Sequence, residues 1–389
     1  MTSSASEALG IAVAARVPVL LWGAPGTGKT SAIRAMAEAM GLPCETVIAS
    51  IREPSDFAGL PVIEGPGRDP GSGSTVRFAP PLWATRLARA GTGLLFLDEL
   101  STAPPAVQAA LLRVVLERTV GDLALPADVV VVAAANPPEQ AADGWDLSAP
   151  LANRLCHLDW EATPRSIADG LAGGWPAPRV PALPAQWEAA EKATRALVAA
   201  FLQVRPALAI APPTTAAEAG RGWPSPRTWE MAARLLTAAD AADATGEARS
   251  ALVRGVVGDG AGTEFLAWYA DMDLPDPEEV LADPARFQLP ERADRAYAAL
   301  ASVAAAVAAR PTFERWAAGW RILGLAAQGE RAAPDIAAVA ALVLARCRPD
   351  EIPSMPPEIR LFAPLLTDAD MMRQDVTDAV RNTVRQDPR

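Results

Sequence analysis

Gly23, Ala24, Pro25, Gly26, Thr27, Gly28, Lys29 and Thr30 spell GxxxxGK[ST], the spacing of a loop that holds a polyphosphate. In such a loop the backbone N–H groups converge on one point, a lysine reaches the β and γ phosphates, and the following hydroxyl ligates Mg²⁺. Lys29 and Thr30 occupy those two positions, and Ser31 follows in the first helical turn. A second chemical pair lies downstream, where the apolar run of residues 94 to 97 ends in Asp98 and Glu99. Ligands of open α/β sheets bind at the C-terminal ends of the strands. Placed there, Asp98 can hold the ion through its water shell and Glu99 can orient and polarise an attacking water. The same pair can also cap a helix that begins near Pro104, and the two roles are compatible. Lys29, Thr30, Asp98 and Glu99 therefore imply a nucleoside triphosphate with Mg²⁺, and the absence of an NKxD tetrapeptide favours ATP over GTP.

Such a loop works only between a strand and a helix N-terminus, where the positive end of the helix dipole meets the phosphates. Residues 17 to 21 are apolar with one proline, and Ile33, Met36, Ala37 and Met40 repeat at helical spacing before Gly41 and Pro43 end the helix. From residue 17 to 160 strand and helix patterns alternate, which predicts a parallel sheet covered on both faces. The strands expected are 18–22, 44–50, 93–98, 128–135 and 156–160, with helices over 29–40, 81–90 and 104–118. Residues 128–135 carry four consecutive valines and belong at the sheet centre. Residues 60–78 break the rhythm with two β-like arms around a Gly/Pro/Ser tip, an inserted hairpin. Past residue 161 strands give way to helices punctuated by proline, over 186–203, 226–240, 244–257, 262–270, 291–309, 312–327, 334–346 and 368–385.

Composition narrows the class. The 389 residues are 50% hydrophobic and 21% charged, enough for two or three globular domains. A net charge of −11 supplies no global basic field for a nucleic-acid backbone, so nucleic acid is not the expected partner. Cys44, Cys156 and Cys347 lack metal-ligand spacing and fit a reducing, cytoplasmic setting. The single histidine, His157, sits in a short strand and reads as a packed core residue rather than a catalyst. The N-terminus does not read as a signal peptide, and the most apolar long segment, 296–309, is too short to span a bilayer.

The order of these features resembles the AAA+ ATPases. Residues 23–30 stand as Walker A, 94–99 as Walker B, and Asn136 of AAANPPE, at the end of the next strand, as sensor 1. The insert at 60–78, introduced by REPSDFAGLPV, resembles the helix 2 insert of the MoxR branch. The resemblance implies that Asn136 reaches between the γ phosphate and the lytic water. It implies that Arg154 of LANRLCHLD is the arginine finger presented to a neighbouring subunit, and that Arg227 of SPRTWEMAARLL is sensor 2 on a lid helix. Arg113 and Arg118 are weaker candidates for subunit contacts. The implied fold is α/β, an AAA+ P-loop αβα core with a parallel five-stranded sheet, followed by an all-helical lid and a helical C-terminal region. Its domains would be 1–160, 161–270 and 271–389, the last serving either as a partner-docking or ring-stabilising domain or as an extension of the lid.

The function implied is an ATP-hydrolysing, ring-forming remodelling ATPase or chaperone of the MoxR type. Its cofactors would be ATP and Mg²⁺, its first partner itself as a homo-hexamer, and its client a protein such as one with a von Willebrand factor A domain. The alternative is an ATP-dependent assembly switch or scaffold with little turnover. A DNA-remodelling protein would need a basic insert, whereas Arg68 and Arg77 are offset by Glu64 and Asp69.

Overall fold

The computed structural model describes residues 3–64, 74–137, 140, 145–328, 332–349 and 351–368. Nine strands appear among them: β1 (Val19–Trp22), β2 (Cys44–Ile48), β3 (Leu60–Glu64), β4 (Thr75–Ala79), β5 (Thr92–Asp98), β6 (Thr119–Val120), β7 (Leu123–Ala124), β8 (Asp128–Ala135) and β9 (Cys156–Asp159). Five of them form one all-parallel sheet in the order β2-β5-β8-β1-β9. These five are the strands expected from the sequence, and the valine-rich β8 is the central one.

The sheet is buried on both faces because its side chains alternate between two apolar layers. Leu95 and Leu97 of β5 join Leu20, Trp22, Val131 and Ala133 in one core, packed by Val107, Leu111 and Val114 of the helix Pro105–Glu117. Leu94 and Phe96 point the other way and are equally inaccessible. Each such side chain removed from water contributes about 1.5–3 kcal/mol, so the strand ends that carry the polar residues are held on a stiff frame.

Two short hairpins sit apart from this sheet. β3 and β4 pair antiparallel, Leu60 opposite Ala79, as the two arms of the expected insert, and its tip at 65–73 lies outside the described residues. β6 and β7 form a second hairpin that the sequence did not announce, since strands of two residues are too short to show a period.

The chain divides into two compact units, Met1–Pro184 with Leu208–Leu266, and Ala185–Ala207 with Ala267–Arg389. The first adds to the sheet the helices Ser3–Ala14, Pro226–Ala241 and Gly246–Val257. Ser225 caps Pro226–Ala241 through a capping box with Thr228, the Ser-Pro start expected from the sequence. Ser3–Ala14 was not expected: it is rich in small residues, carries one charge, Glu7, and buries Ala8, Leu9, Ile11, Ala12 and Val13, so no polar face marks it.

The second unit is helical among its described residues. Ala293–Ala309, Phe313–Gln328 and Pro334–Arg346 enclose Trp316, Trp320, Val303, Val307 and Leu344, and Trp316 Nε1 donates to Leu344 O at 2.9 Å. Trp187–Val204, which lies in the stretch 161–270 expected to form the lid, instead packs against Ala293–Ala309 in this unit. Its apolar stripe is completed by residues about a hundred positions away, which no linear boundary can reveal. The helix expected over 368–385 falls, past residue 368, outside the described residues.

Candidate functional site

The phosphate loop leaves β1 at Trp22 and enters the helix Lys29–Ala39 through Gly28, whose φ of 83° only glycine adopts without strain. Gly23 is required for a different reason. A Cβ there would lie 2.4 Å from Trp160 O, because the end of β9 runs directly behind the loop. Trp160 N donates to Trp22 O at 2.6 Å, and Trp160 Nε1 donates to Thr27 O at 3.3 Å. Thr27 Oγ1 also donates to Ala24 O at 2.8 Å, so the loop is braced from inside and from behind.

Lys29 is only 8% exposed. Its ammonium donates to Gly23 O at 2.6 Å, Ala24 O at 3.1 Å and Asn136 Oδ1 at 3.1 Å. The three contacts use the three N–H donors of the ammonium. Burial lowers the Lys29 pKa from its ordinary value, while Asp98 nearby favours the charged form. A cation held at such a desolvation cost is stabilised further by an incoming polyanion.

Thr30 Oγ1 donates to Asp98 Oδ2 at 2.9 Å, and the Glu99 backbone N–H donates to Asp98 Oδ1 at 3.0 Å. Thr30 and Asp98 thus offer two hard oxygens side by side. That set fits Mg²⁺, which keeps several waters and binds through one or two carboxylates plus substrate phosphates rather than a protein cage. No cluster of three or more His, Cys, Asp or Glu able to hold a metal occurs among the described residues.

Glu99 follows β5 in the left-handed region at φ 56°, a conformation uncommon for a residue with a side chain. Its carboxylate Oε2 accepts a short hydrogen bond from Ser50 Oγ. Sequence reasoning missed Ser50, having extended the strand to residue 50. In the structure β2 ends at Ile48, and a 3₁₀ turn over Ala49–Ile51 carries Ser50 toward Glu99. A serine two residues past the strand that neighbours β5 was the available signal, but using it required the strand order.

Asn136, at the end of the central strand β8, meets Lys29 as described, and Ser101 Oγ donates to Asn136 O at 3.2 Å. The ends of β1, β5 and β8 therefore bring Lys29, Thr30, Asp98, Glu99 and Asn136 together.

The arginines stand elsewhere. Arg154 follows the short helix Ala149–Ala152 and donates through Nη1 to Pro150 O, while its buried Nε has no partner among the described residues. Burial lowers its pKa from the ordinary value, and the charge of Arg227 lowers it further, so the two guanidinium groups lie within electrostatic reach of each other. Arg227 is exposed at the start of Pro226–Ala241. Arg118 is occupied locally: its Nη1 donates to Ala127 O at 2.7 Å and Val129 O at 2.8 Å. Arg113 pairs with Glu117 on its own helix.

A cavity of about 870 Å³ opens at the end of β9, lined by Ser4, His157, Asp159, Arg221, Trp223 and Gly255 among others. His157 is the packed residue expected from the sequence. Trp22 Nε1 donates to its Nδ1 at 2.8 Å and its Nε2 lies 2.9 Å from Ala152 O, which fixes a neutral ring protonated on Nε2. Burial pushes its pKa down to about 4.

Residues 18–155 match the family model described as AAA domain (dynein-related subfamily). No curated protein matches the chain. Among solved structures, a proposed ATPase from Cytophaga hutchinsonii is 20% identical, with 64% of this chain and 79% of that one covered and a TM-score of 0.40. A full-length MCM homolog from Methanopyrus kandleri is 21% identical, with 67% of this chain and 54% of that one covered and a TM-score of 0.35. Both are distant likenesses. Among the described residues no helix is long and apolar enough to cross a membrane. The family match thus falls on residues 18–155, about a third of the chain, the same stretch that carries the phosphate loop and the five-stranded parallel sheet of an α/β fold.

Proposed function

We propose that this chain binds and hydrolyses ATP and works as a ring-forming remodelling ATPase of the MoxR type on a partner protein. The observation that carries it is the convergence of Lys29, Asn136, Thr30 and Asp98, linked by hydrogen bonds of 2.9 to 3.1 Å, with Glu99 directly beyond Asp98. Lys29 holds the β and γ phosphates, with the backbone N–H groups of residues 26–31 around them. Thr30 and Asp98 would hold Mg²⁺, which would supply neutralisation of the phosphate charge. Glu99 takes a proton from a water whose oxygen attacks the γ phosphorus, the bond from that phosphorus to the β-γ bridging oxygen breaks, and ADP and phosphate leave. Asn136 orients that water from the opposite side. The cavity beside Asp159 takes the nucleoside.

Arg154 and Arg227 place two positive charges together, apart from this chain's own Lys29 cluster. In a ring both are offered to a neighbouring subunit's γ phosphate, where charge develops in the transition state. The hairpin β3–β4 exposes Leu60, Ile63 and Val76, an apolar surface suited to a client. Hydrolysis per subunit that rises with protein concentration is the expected result, and a rate that stays at background with or without concentration removes the motor.

One observation favours a second reading, an assembly switch with little turnover. The Ser50 bond occupies the Glu99 carboxylate, so a chain that never releases it binds ATP without hydrolysing it. The two readings part on the turnover of the wild-type chain at high protein concentration, above background for the motor and at background for the switch.

A further inference from the structure

Arg221 makes contacts that the phosphate chemistry does not require. Its guanidinium carbon lies 4.5 Å from the centroid of the Trp22 ring, and its Nη1 donates to Asp159 Oδ1 at 2.9 Å. Trp22 and Asp159 are register partners on the neighbouring strands β1 and β9. The Trp22 ring is itself immobilised: it is buried, and it lies within 12° of the His157 ring plane, joined to it by the Nε1 to Nδ1 hydrogen bond. Trp22 is also the residue from which the phosphate loop departs. The cation is thus held over a fixed aromatic surface, one residue before Gly23.

A guanidinium has two faces, and Trp22 covers one. Arg221 also lines the 870 Å³ cavity, and 41% of its side chain is exposed. Pairing with Asp159 restrains rotation about the long side chain, so the side of the guanidinium away from Trp22 is held in place.

We propose that Arg221 is the base-positioning residue of the nucleotide site, stacking an aromatic purine between its free face and the cavity while its other face rests on Trp22. Stacking of this kind recognises a π-face and a cation together, and it fixes the base relative to the strand that carries the phosphate loop. Since the assignment rests on the nucleotide site proposed above, its test separates the base from the phosphates.

The experiment is calorimetric titration of the full chain with MgADP and with magnesium pyrophosphate, which lacks a base, for the wild type, Arg221→Ala and Arg221→Lys. Arg221→Lys retains a cation for Asp159 but has no flat face, and it keeps the test decisive if the alanine variant does not fold. Both variants are expected to bind ADP about tenfold more weakly while pyrophosphate affinity is unchanged. Undiminished ADP affinity in Arg221→Lys, or an equal loss for both ligands, overturns the assignment. A wild-type chain that binds neither ligand overturns the nucleotide site as well, a failure visible before any variant is measured.

Discussion

Thr30 Oγ1 and Asp98 Oδ2, 68 positions apart in the chain, are joined by a 2.9 Å hydrogen bond. The contact ties the first turn after the phosphate loop to the end of β5 and sets the gap that a hydrated Mg²⁺ must enter. It also orients Asp98, whose second oxygen accepts from the Glu99 backbone N–H at 3.0 Å. Thr30, Asp98 and the Glu99 backbone are therefore joined in one hydrogen-bonded chain.

Lys29→Ala removes the buried ammonium that meets the phosphates. ADP affinity should fall by about tenfold to a hundredfold, the range for losing a charge-assisted contact. Calorimetric titration measures it, and unchanged affinity removes Lys29 from the site.

Glu99→Gln should keep nucleotide binding and lower turnover by about 10²–10⁴-fold, as expected for losing a general base. Ser50→Ala should act in the opposite direction, because it frees the carboxylate. Turnover at low protein concentration should then rise by about tenfold, the scale of one hydrogen bond to a charged group. Phosphate release assays on the two variants, alone and combined, check this: the double variant must behave as Glu99→Gln.

Arg154→Ala and Arg227→Ala should each bind ATP normally and hydrolyse it about 10³-fold more slowly. If the two arginines serve a neighbour, mixing Arg154→Ala with Lys29→Ala must recover part of the lost activity, since some interfaces then pair an intact loop with an intact arginine. The mixture is read by the same phosphate assay, and no recovery at any ratio contradicts action across subunits.

His157 gives the fold a pH dependence. Burial, the largest cause, holds its pKa near 4, with Arg221 also opposing the charge, and Asp159 and the Ala152 carbonyl favouring it. The unfolded chain binds a proton at about pH 6.5, so the stabilising contribution is present above that value and is lost as pH falls toward 4. Stability should drop by about 1.4 kcal/mol between pH 7.5 and pH 5.5 from this residue. Urea unfolding of the wild type against His157→Gln isolates the increment, and identical pH slopes remove it.

Much of the first unit was legible because its signals are local. The phosphate loop, the Asp98–Glu99 end of β5 and Asn136 each follow an apolar strand, and strand residues report themselves through composition. The contribution of Ser50 was hidden, since it depends on β2 lying beside β5, a pairing between residues about fifty positions apart. Arg221 was hidden for the same reason: nothing in a proline- and glycine-rich stretch says that its guanidinium reaches Trp22 and Asp159. Trp187–Val204 shows a clear helical period, yet its stripe does not name the helix it meets, so its unit could not be read from order alone.

The central claim is that a triphosphate and its ion lie between Lys29 on one side and Asp98 with Glu99 on the other. A crystal structure of the Glu99→Gln chain with ATP and Mg²⁺ tests it most directly. The β and γ phosphates should contact Lys29 Nζ, with the ion on Thr30 and Asp98. A nucleotide bound elsewhere, or a loop whose Lys29 still faces Gly23 O and Asn136 Oδ1 under saturating ATP, contradicts it.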